Sequence, residues 1–487
     1  MLKYRYIPLG AAIMIPDFAV PRLTLLTPEQ IEAVHAAALK ILAEAGLRVD
    51  SERARQVLSR LEGVSWPEPN RAVFAPAAIQ TALRSAPAVI DIYNRRGQLA
   101  FHLGADRTRF GVGVTNLYYE DPASGEILPF TRSSMQAAVR LGQALPGYDL
   151  ISTVGVLKDV PPDQADLYAV LDMLANTVKP LVILISEGSL FGPALDLLEN
   201  LGGDLAAKPW VIPYVNPITP LVLNAETAEK MLISIERGLP VIYSNYGMAG
   251  MSTPITPAGT LALLTAELLA GLVFSQAARP GAPIILGSLP AYFDMRHMVD
   301  FYDPRTMLLN LACAEMLAHY GLPHAGTSGS GNGWGADLLA SGELWLNHLT
   351  ALLSRAGLAP FVGGSLGSKV FSPAMTVYAH EIIEQALAFT QGFSLDAEAA
   401  GLDEIITAGP AGSFITADST LKHLRKAYHT SRIFPHIGLE KWQEMGQPRA
   451  SALLRQATID LLARAQPPED HAELVHKGEA WIAARRA

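Results

Sequence analysis

The sequence predicts an α/β fold, a (β/α)8 barrel with mainly helical N-terminal and C-terminal extensions, on three observations. Eight short apolar, β-rich runs follow one another along the chain, and helical stretches of roughly ten residues or more alternate with them, the pattern of parallel strands joined by crossover helices. Half of the 487 residues are hydrophobic and 17% are charged, which supplies a large core and argues against a disordered or charged helical chain. No GxGxxG follows the first run and no Walker motif occurs, so the alternative, an open doubly wound sheet, lacks its usual marks.

Residues 1–105 read as an N-terminal elaboration. There, TPEQIEAVHAAALKILAEAG offers Thr27 as N-cap, Pro28 at N1 and Gln30 at N3. Ile31, Val34, Ala38, Ile41 and Leu42 follow at helical spacing, and Gly46 is the stop. Weaker helices are expected over 51–61 and 76–85, and short strands over 89–93 and 98–102. Residues 106–395 hold the barrel. Its strand runs are 110–117, 150–156, 180–185, 210–215, 240–244, 283–287, 323–327 and 360–363. Its helical patterns lie near 132–144, 163–177, 189–201, 224–237, 257–277, 304–319, 336–355 and 374–391. Residues 396–487 form a C-terminal extension without strand pattern, with helices near 418–428, 439–445, 448–465 and 470–484, expected to pack on the barrel.

Composition excludes several functions. With 37 basic and 46 acidic side chains, a net charge of −9 and no dense basic run, nucleic acid is not an expected partner. The single cysteine, Cys313, excludes an internal disulfide and multi-cysteine metal sites, and makes a reducing cytoplasm the expected setting. Pro8, Pro16 and Asp17 interrupt the apolar stretch 7–20, and Glu267 and Gln276 interrupt 260–278; neither reads as a signal peptide or a membrane span.

In a barrel, reactive groups belong at the C-terminal strand ends. Here those ends carry Asn116, Tyr118 and Tyr119; Lys158 and Asp159; Ser186 and Glu187; Asn216; Asn245 and Tyr246; and Ser288, Tyr292, Phe293 and Asp294. Segments 328–334 and 364–368 follow the last two runs. Aromatic rings and neutral amides outnumber carboxylate pairs, which suits a cage for a quaternary ammonium that cannot donate a hydrogen bond. The competing account is that these rings pack loops together. The expectation is that Tyr119, Asn245, Tyr246, Phe293, His324, Asn332 and Trp334 line one cavity at the mouth, with Tyr292 as a further substrate contact. The segment GTSGSGNGWGAD (326–337) carries Gly329, Gly331, Gly333 and Gly335, which permit close approach of backbone to a ligand. It contains no Lys or Arg, Lys369 being nearest, so a phosphate cradle is disfavoured. No metal site is expected: His319 and His324 lack ligand spacing, and His380-Glu381, His423 and His429 read as isolated. No GxSxG marks a hydrolase.

Several separated stretches carry a resemblance to a known family: LTPEQIEAVHAAALKILAEAGLRVDSERA, ASGEILPFTRSSMQAAVRLGQALPGYDLI, MAGMSTPITPAGTLALLTAELLAGLVFSQAARPGAPIILG with the following DMR, and YGLPHAGTSG through ASGE. Together, in this order, they resemble the trimethylamine methyltransferase family. The resemblance implies a TIM barrel and transfer of a methyl group from a methylated amine to the Co(I) corrinoid (cobalamin) of a separate partner protein, with none held tightly by this chain. Founding members contain pyrrolysine. This sequence does not, so it resembles the branch that demethylates quaternary amines such as glycine betaine, in methylamine metabolism related to methanogenesis. The family's Asp-Ala-Lys-like stretch is replaced by Asn332-Gly333-Trp334, and its Gln-Ala-Gly-x-Glu stretch reads Leu339-Ala340-Ser341-Gly342-Glu343. The family's later Val-Leu-Asp-x-Glu reads Val377-Tyr378-Ala379-His380-Glu381. On this basis Asn332, Glu343 and His324 are the expected catalytic residues, and Trp334 an aromatic wall where a cationic side chain would repel an ammonium. Two other classes are carried as alternatives: a corrinoid-independent lyase or hydrolase with Asp294 or Glu187 as base, and a non-catalytic betaine-binding protein. Partners are a corrinoid protein and a small amine, with no membrane; homo-oligomer formation stays open.

Overall fold

The computed structural model describes residues 18–485 apart from 105–106, 302, 327–330 and 355. Eight parallel strands close around one axis: β1 (Arg109–Val112), β2 (Leu150–Ser152), β3 (Leu181–Ile183), β4 (Val211–Val215), β5 (Val241–Ala249), β6 (Ile284–Asp294), β7 (His324–Ala325) and β8 (Leu358–Val362). Each pairs with the next, and β8 returns to β1. The following helices are α1 (Arg132–Ala144), α2 (Ala165–Asn176), α3 (Phe191–Gly202), α4 (Ala225–Glu236), α5 (Pro257–Ala278), α6 (Pro304–His319), α7 (Leu338–Leu353) and α8 (Pro373–Thr390). All eight expected units form.

Strand lengths differ from expectation in a way that shapes the mouth. The run 110–117 leaves the ladder after Val112 because Gly113 takes φ +117° and Thr115 φ +52°, conformations that no strand continues. Conversely, β5 and β6 outrun their apolar runs and stay in register from Val241↔Ile284 to Ala249↔Tyr292. At about 3.3 Å per residue this ribbon rises some 15 Å above Ser244. It walls one side of the mouth.

Lumen-facing Leu150, Val182, Ile212, Ile242, Ile285 and Leu358 share one apolar cluster with Ile90, Ile92, Phe101 and Leu103. These last four belong to the hairpin Ile90–Tyr93/Leu99–Leu103, which therefore stoppers the N-terminal end of the barrel and leaves the opposite end open.

The N-terminal helix Pro28–Glu44 has the anticipated capping box, Thr27 accepting from the N–H of Gln30 and Gln30 reaching back to Thr27. Gly46 follows at φ +74°, where a Cβ would lie 2.3 Å from the Ala72 carbonyl. A sheet that the sequence pattern did not indicate joins Leu47–Val49, Arg71–Phe74 and Val64–Glu68 to Val222–Leu223 of the β4–α4 loop. Its strands are too short and too mixed in polarity to stand out by alternation. This sheet ties the elaboration to the barrel, and the helices Pro28–Glu44, Glu52–Leu58 and Pro76–Ser85 cover the outer side of α5. That covering explains why α5 is apolar all round, with every residue from Thr260 to Gln276 buried. It is the one helix among the described residues long and apolar enough to span a bilayer, and 89% of its apolar window is buried inside the fold.

The C-terminal helix Ala450–Arg464 packs on α8 and α1, and His471–Ala484 on α2 and α3. Gly478 permits the second contact, since a Cβ there would meet Leu171 Cδ1 at 2.2 Å. Arg132 bridges Asp172 and Glu479, both at 2.8 Å, and Arg95 grips Asp470 through two bonds of 2.6 and 2.9 Å. At the boundary of this extension Phe393–Ser394 pairs with Phe18–Ala19.

Candidate functional site

Alternation along the two projecting strands decides which side chains reach the mouth. Val241 and Tyr243 of β5 pack on the helical side, while Ile242 faces the lumen. The same period turns Ser244 and Tyr246 inward and Asn245 outward. In β6, Ile285 and Leu289 join the lumen cluster, which turns Phe293 inward, and Tyr292 packs on the helical side with Leu261 and Leu309. From β4, Tyr214 faces inward and meets Phe361 of β8 edge to face, centroids 5.1 Å apart at 82°. Both rings are nearly buried. They form an aromatic floor across the lumen, with the half-buried Tyr246 and Phe293 above it. The Asn216 amide donates to the Tyr214 hydroxyl (3.2 Å) and the Ser244 carbonyl (2.8 Å), locking strand 4 to strand 5 beside the floor. A cavity of about 400 Å³ opens here, lined by Thr115, Leu184, Ser186, Tyr214, Asn216 and Lys230. Burial pushes the Tyr214 hydroxyl up from its ordinary value, so it stays a neutral donor.

Several anticipated residues lie elsewhere. Asn245 is wholly buried behind β5, donating to the Leu264 carbonyl and to Glu267 of α5 and accepting from Ser288. His324 pairs in register with outward-facing Leu286 while the next residue, Ala325, joins the lumen cluster. The imidazole is thus buried outside the barrel, its Nδ1 3.2 Å from the Leu322 carbonyl and its Nε2 without a partner. Burial pushes its pKa down. It does not reach the mouth. Tyr119 is packed between Phe371 (stacked, 6.1 Å) and Phe130 (6.3 Å), in the small sheet Tyr118–Glu120, Ile127–Pro129, Val370–Phe371 that covers loops around β1 and β8. Tyr292 faces α5 and α6. Trp334 is 73% exposed. Of the residues expected to line one cavity, Tyr246 and Phe293 turn inward above the floor, while the cavity beside it is walled by Tyr214; the floor itself is the unanticipated pair Tyr214 and Phe361. These two were hidden inside apolar strand runs: alternation turns Tyr214 inward with Ile212, whereas Phe361 faces in with Leu358 because the β8 ladder shifts register between Ala359 and Val362.

The glycine-rich loop packs against its own chain. A Cβ on Gly331 would lie 2.2 Å from Glu343 Oε2, and one on Gly333 would lie 2.7 Å from Ala340 Cβ. Glu343 accepts from the Gly333 N–H at 3.2 Å. The Asn332 backbone also lowers the Glu343 pKa, but burial outweighs both and leaves the carboxyl above its usual range. On the other side the Gly333 and Gly331 carbonyls accept from Leu366 (2.9 Å) and Gly367 (3.1 Å). Leu366, Gly367 and Ser368 all take left-handed φ, 51°, 64° and 64°, a strained stretch that makes this approach. Glu120 stands beside Gly335; its Oε2 is buried without a partner, and burial raises its pKa. Sequence reasoning stopped at Tyr119 and missed it. Gly329 lies outside the described residues. The close approaches that these glycines permit are to Glu343 and Ala340.

Neither acid proposed as a base is arranged for that task. Asp294 is paired with His297 Nδ1 at 2.5 Å and with the Arg296 N–H, which hold its carboxyl below the usual range. Glu187 accepts from the Ser189 hydroxyl at the start of a short turn. His380 and Glu381, read as isolated in sequence, are joined one helical turn on by Glu384. His380 Nε2 already accepts from the Gly147 N–H at 3.0 Å, and Glu381 from Ser431, so hydrogen bonding occupies this cluster.

A closed barrel with one stoppered end and an aromatic mouth defines a class: a TIM-barrel protein whose C-terminal face is the open one. The family model for trimethylamine methyltransferase matches residues 11–487. The chain belongs to the trimethylamine methyltransferase family. It is 27% identical to a glycine betaine methyltransferase of Desulfitobacterium hafniense, over 96% of this chain and 98% of that protein. It is 26% identical to a trimethylamine methyltransferase of the same species, over 90% and 89%. Among solved structures, the monomethylamine methyltransferase of Methanosarcina barkeri superposes with a TM-score of 0.54 at 10% identity, covering 95% of this chain and 88% of that one.

Proposed function

We propose that this chain is an amine methyltransferase that binds a quaternary methylammonium, glycine betaine as the model compound, and presents one methyl group to the Co(I) corrinoid of a partner protein. The observation that carries the substrate class is the set of inward rings at the mouth, Tyr214, Phe361, Tyr246 and Phe293, with neutral Asn216 beside them. Ring faces attract a permanent cation that offers no N–H, and a neutral amine leaves without needing protonation. A deep general base is not required, which agrees with Asp294 and Glu187 being committed elsewhere. In this reading the floor rings hold the ammonium, the cavity beside Tyr214 takes the remainder of the substrate, and the β5–β6 ribbon excludes water from one side. Because the hairpin at 90–103 closes the other end, a methyl acceptor can approach only through the mouth. The rim there is apolar and exposed at Met251, Ile255, Met295, Met298 and Trp334, which suits contact with a corrinoid carrier; the corrinoid, when docked, supplies the nucleophilic metal that accepts the methyl group. Trp334 belongs to this rim in place of the substrate cage.

The test mixes the protein with a reduced corrinoid protein and, separately, glycine betaine, trimethylamine and monomethylamine, and follows the visible spectrum. The expected result is conversion of Co(I) to methyl-Co(III) with a quaternary amine and demethylated product in equal amount. Conversion with none of several quaternary amines, at protein concentrations that bind them, would overturn the reading and favour a binding protein.

A further inference from the structure

Of the hydroxyls that line the cavity beside the floor, all but one have a place for their hydrogen. Thr115 donates to the Val114 carbonyl at 2.7 Å and Thr227 to the Asn216 carbonyl, and Ser186 is exposed to water. Lys230, in the same wall, donates to the Ile185 carbonyl at 2.7 Å and pairs with Glu226, which matches its charge. Tyr214 differs. Its oxygen accepts from the Asn216 amide at 3.2 Å, and the same amide nitrogen donates to the Ser244 carbonyl at 2.8 Å. A carbonyl can only accept, so the second bond fixes nitrogen rather than oxygen at this end of the Asn216 side chain. Both amide hydrogens are then spent, and the Tyr214 oxygen is held in the accepting role. Its own hydrogen has no acceptor among the described residues: Ser244 Oγ, buried beside it, closes no hydrogen bond. Tyr214 is 7% exposed, and an O–H so buried has lost its water with nothing in return.

We infer that the Tyr214 hydroxyl is the specificity-determining donor of the site: it gives its hydrogen to an oxygen that the substrate carries a few bonds from the quaternary nitrogen, the carboxylate oxygen in a betaine, with Asn216 as the residue that positions it. The inference rests on the reading of the floor as a methylammonium site and adds what recognises the other end of the ligand. One side chain serves both ends. The Tyr214 ring meets Phe361 in the floor, while the same residue walls the adjoining cavity. An oxygen bonded to the hydroxyl therefore places the ammonium against the rings and fixes its rotation, which a ring face alone leaves free. A tetraalkylammonium without an oxygen reaches the same rings but leaves the hydroxyl unpaired. A site built to bond a substrate group discriminates against an analogue lacking it for this reason.

Calorimetry on the full chain would compare glycine betaine with tetramethylammonium, which shares the head and lacks the oxygen, for the wild type, Tyr214→Phe and Asn216→Leu. Tyr214→Phe keeps the ring and removes only the hydroxyl. It is expected to lose roughly 10- to 100-fold in betaine affinity, the range for a hydrogen bond to a charged group, and to leave tetramethylammonium affinity nearly unchanged, since the ring face is kept. Asn216→Leu leaves the hydroxyl but frees it to turn, so betaine affinity is expected to fall by a smaller factor while tetramethylammonium again holds. Combining the two substitutions is expected to cost betaine nothing beyond Tyr214→Phe, because a positioning residue acts only through the group it positions. Equal losses for both ligands in Tyr214→Phe, or no loss for betaine, overturn the assignment while the methylammonium reading stands. A further loss in the double variant overturns the role of Asn216. A wild type that binds neither ligand overturns the methylammonium reading and this assignment with it.

Discussion

Replacing Phe361 by leucine separates a cation cage from an apolar pocket. The ring lies 5.1 Å from Tyr214, edge to face, and is 5% exposed, so a methylammonium against this floor is desolvated on that side. At such sites a cation–π contact contributes about 1–2 kcal/mol, roughly a 5- to 30-fold change in Kd. Leucine fills much of the same volume and costs the fold less than about 1.5 kcal/mol, so the variant remains folded at room temperature. Calorimetry would compare glycine betaine with 3,3-dimethylbutanoate, which has the same shape and carboxylate but carbon in place of the ammonium nitrogen. The expected outcome is a 5- to 30-fold loss for betaine with a much smaller change for the neutral-headed analogue. Equal losses for both ligands, or none for betaine, would refute the cation cage.

Trp334→Leu is expected to leave betaine affinity and thermal midpoint of the chain unchanged, because its indole stands in solvent; calorimetry and a melting curve check this. Glu267 accepts from the Leu221 N–H, the Thr219 hydroxyl and the Asn245 amide at 2.6, 2.9 and 3.1 Å. Glu267→Leu would strand these donors, at least about 3 kcal/mol on urea unfolding. His380 and His348 are held neutral by burial, their pKa values lowered to about 4 and about 3. Unfolding lets both take up protons near pH 6.5, so stability is fully present above that pH and declines as pH falls from 6.5 toward 4. In unfolding curves across this range, His380→Gln, which can still accept from Gly147, is expected to flatten the decline.

The sequence by itself determined the barrel and its eight helices, because these rest on local signals. Period-3.6 and short apolar runs mark elements within a dozen residues, and Thr27, Pro28 and Gly46 mark a helix whose caps need no distant partner. Tertiary structure alone decided which side chains face the lumen. A strand end carries residues of both faces one position apart, so Asn245 and Tyr246, adjacent in sequence, face a helix and the lumen respectively, and His324 turns away where Ala325 turns in. Which face is inward depends on register with neighbouring strands, set by contacts between residues far apart in the chain. Tyr214 and Phe361 become a pair only when strands 4 and 8 meet across the lumen. Glu120 reaches the loop at Gly335 only after closure brings the ends of the barrel together.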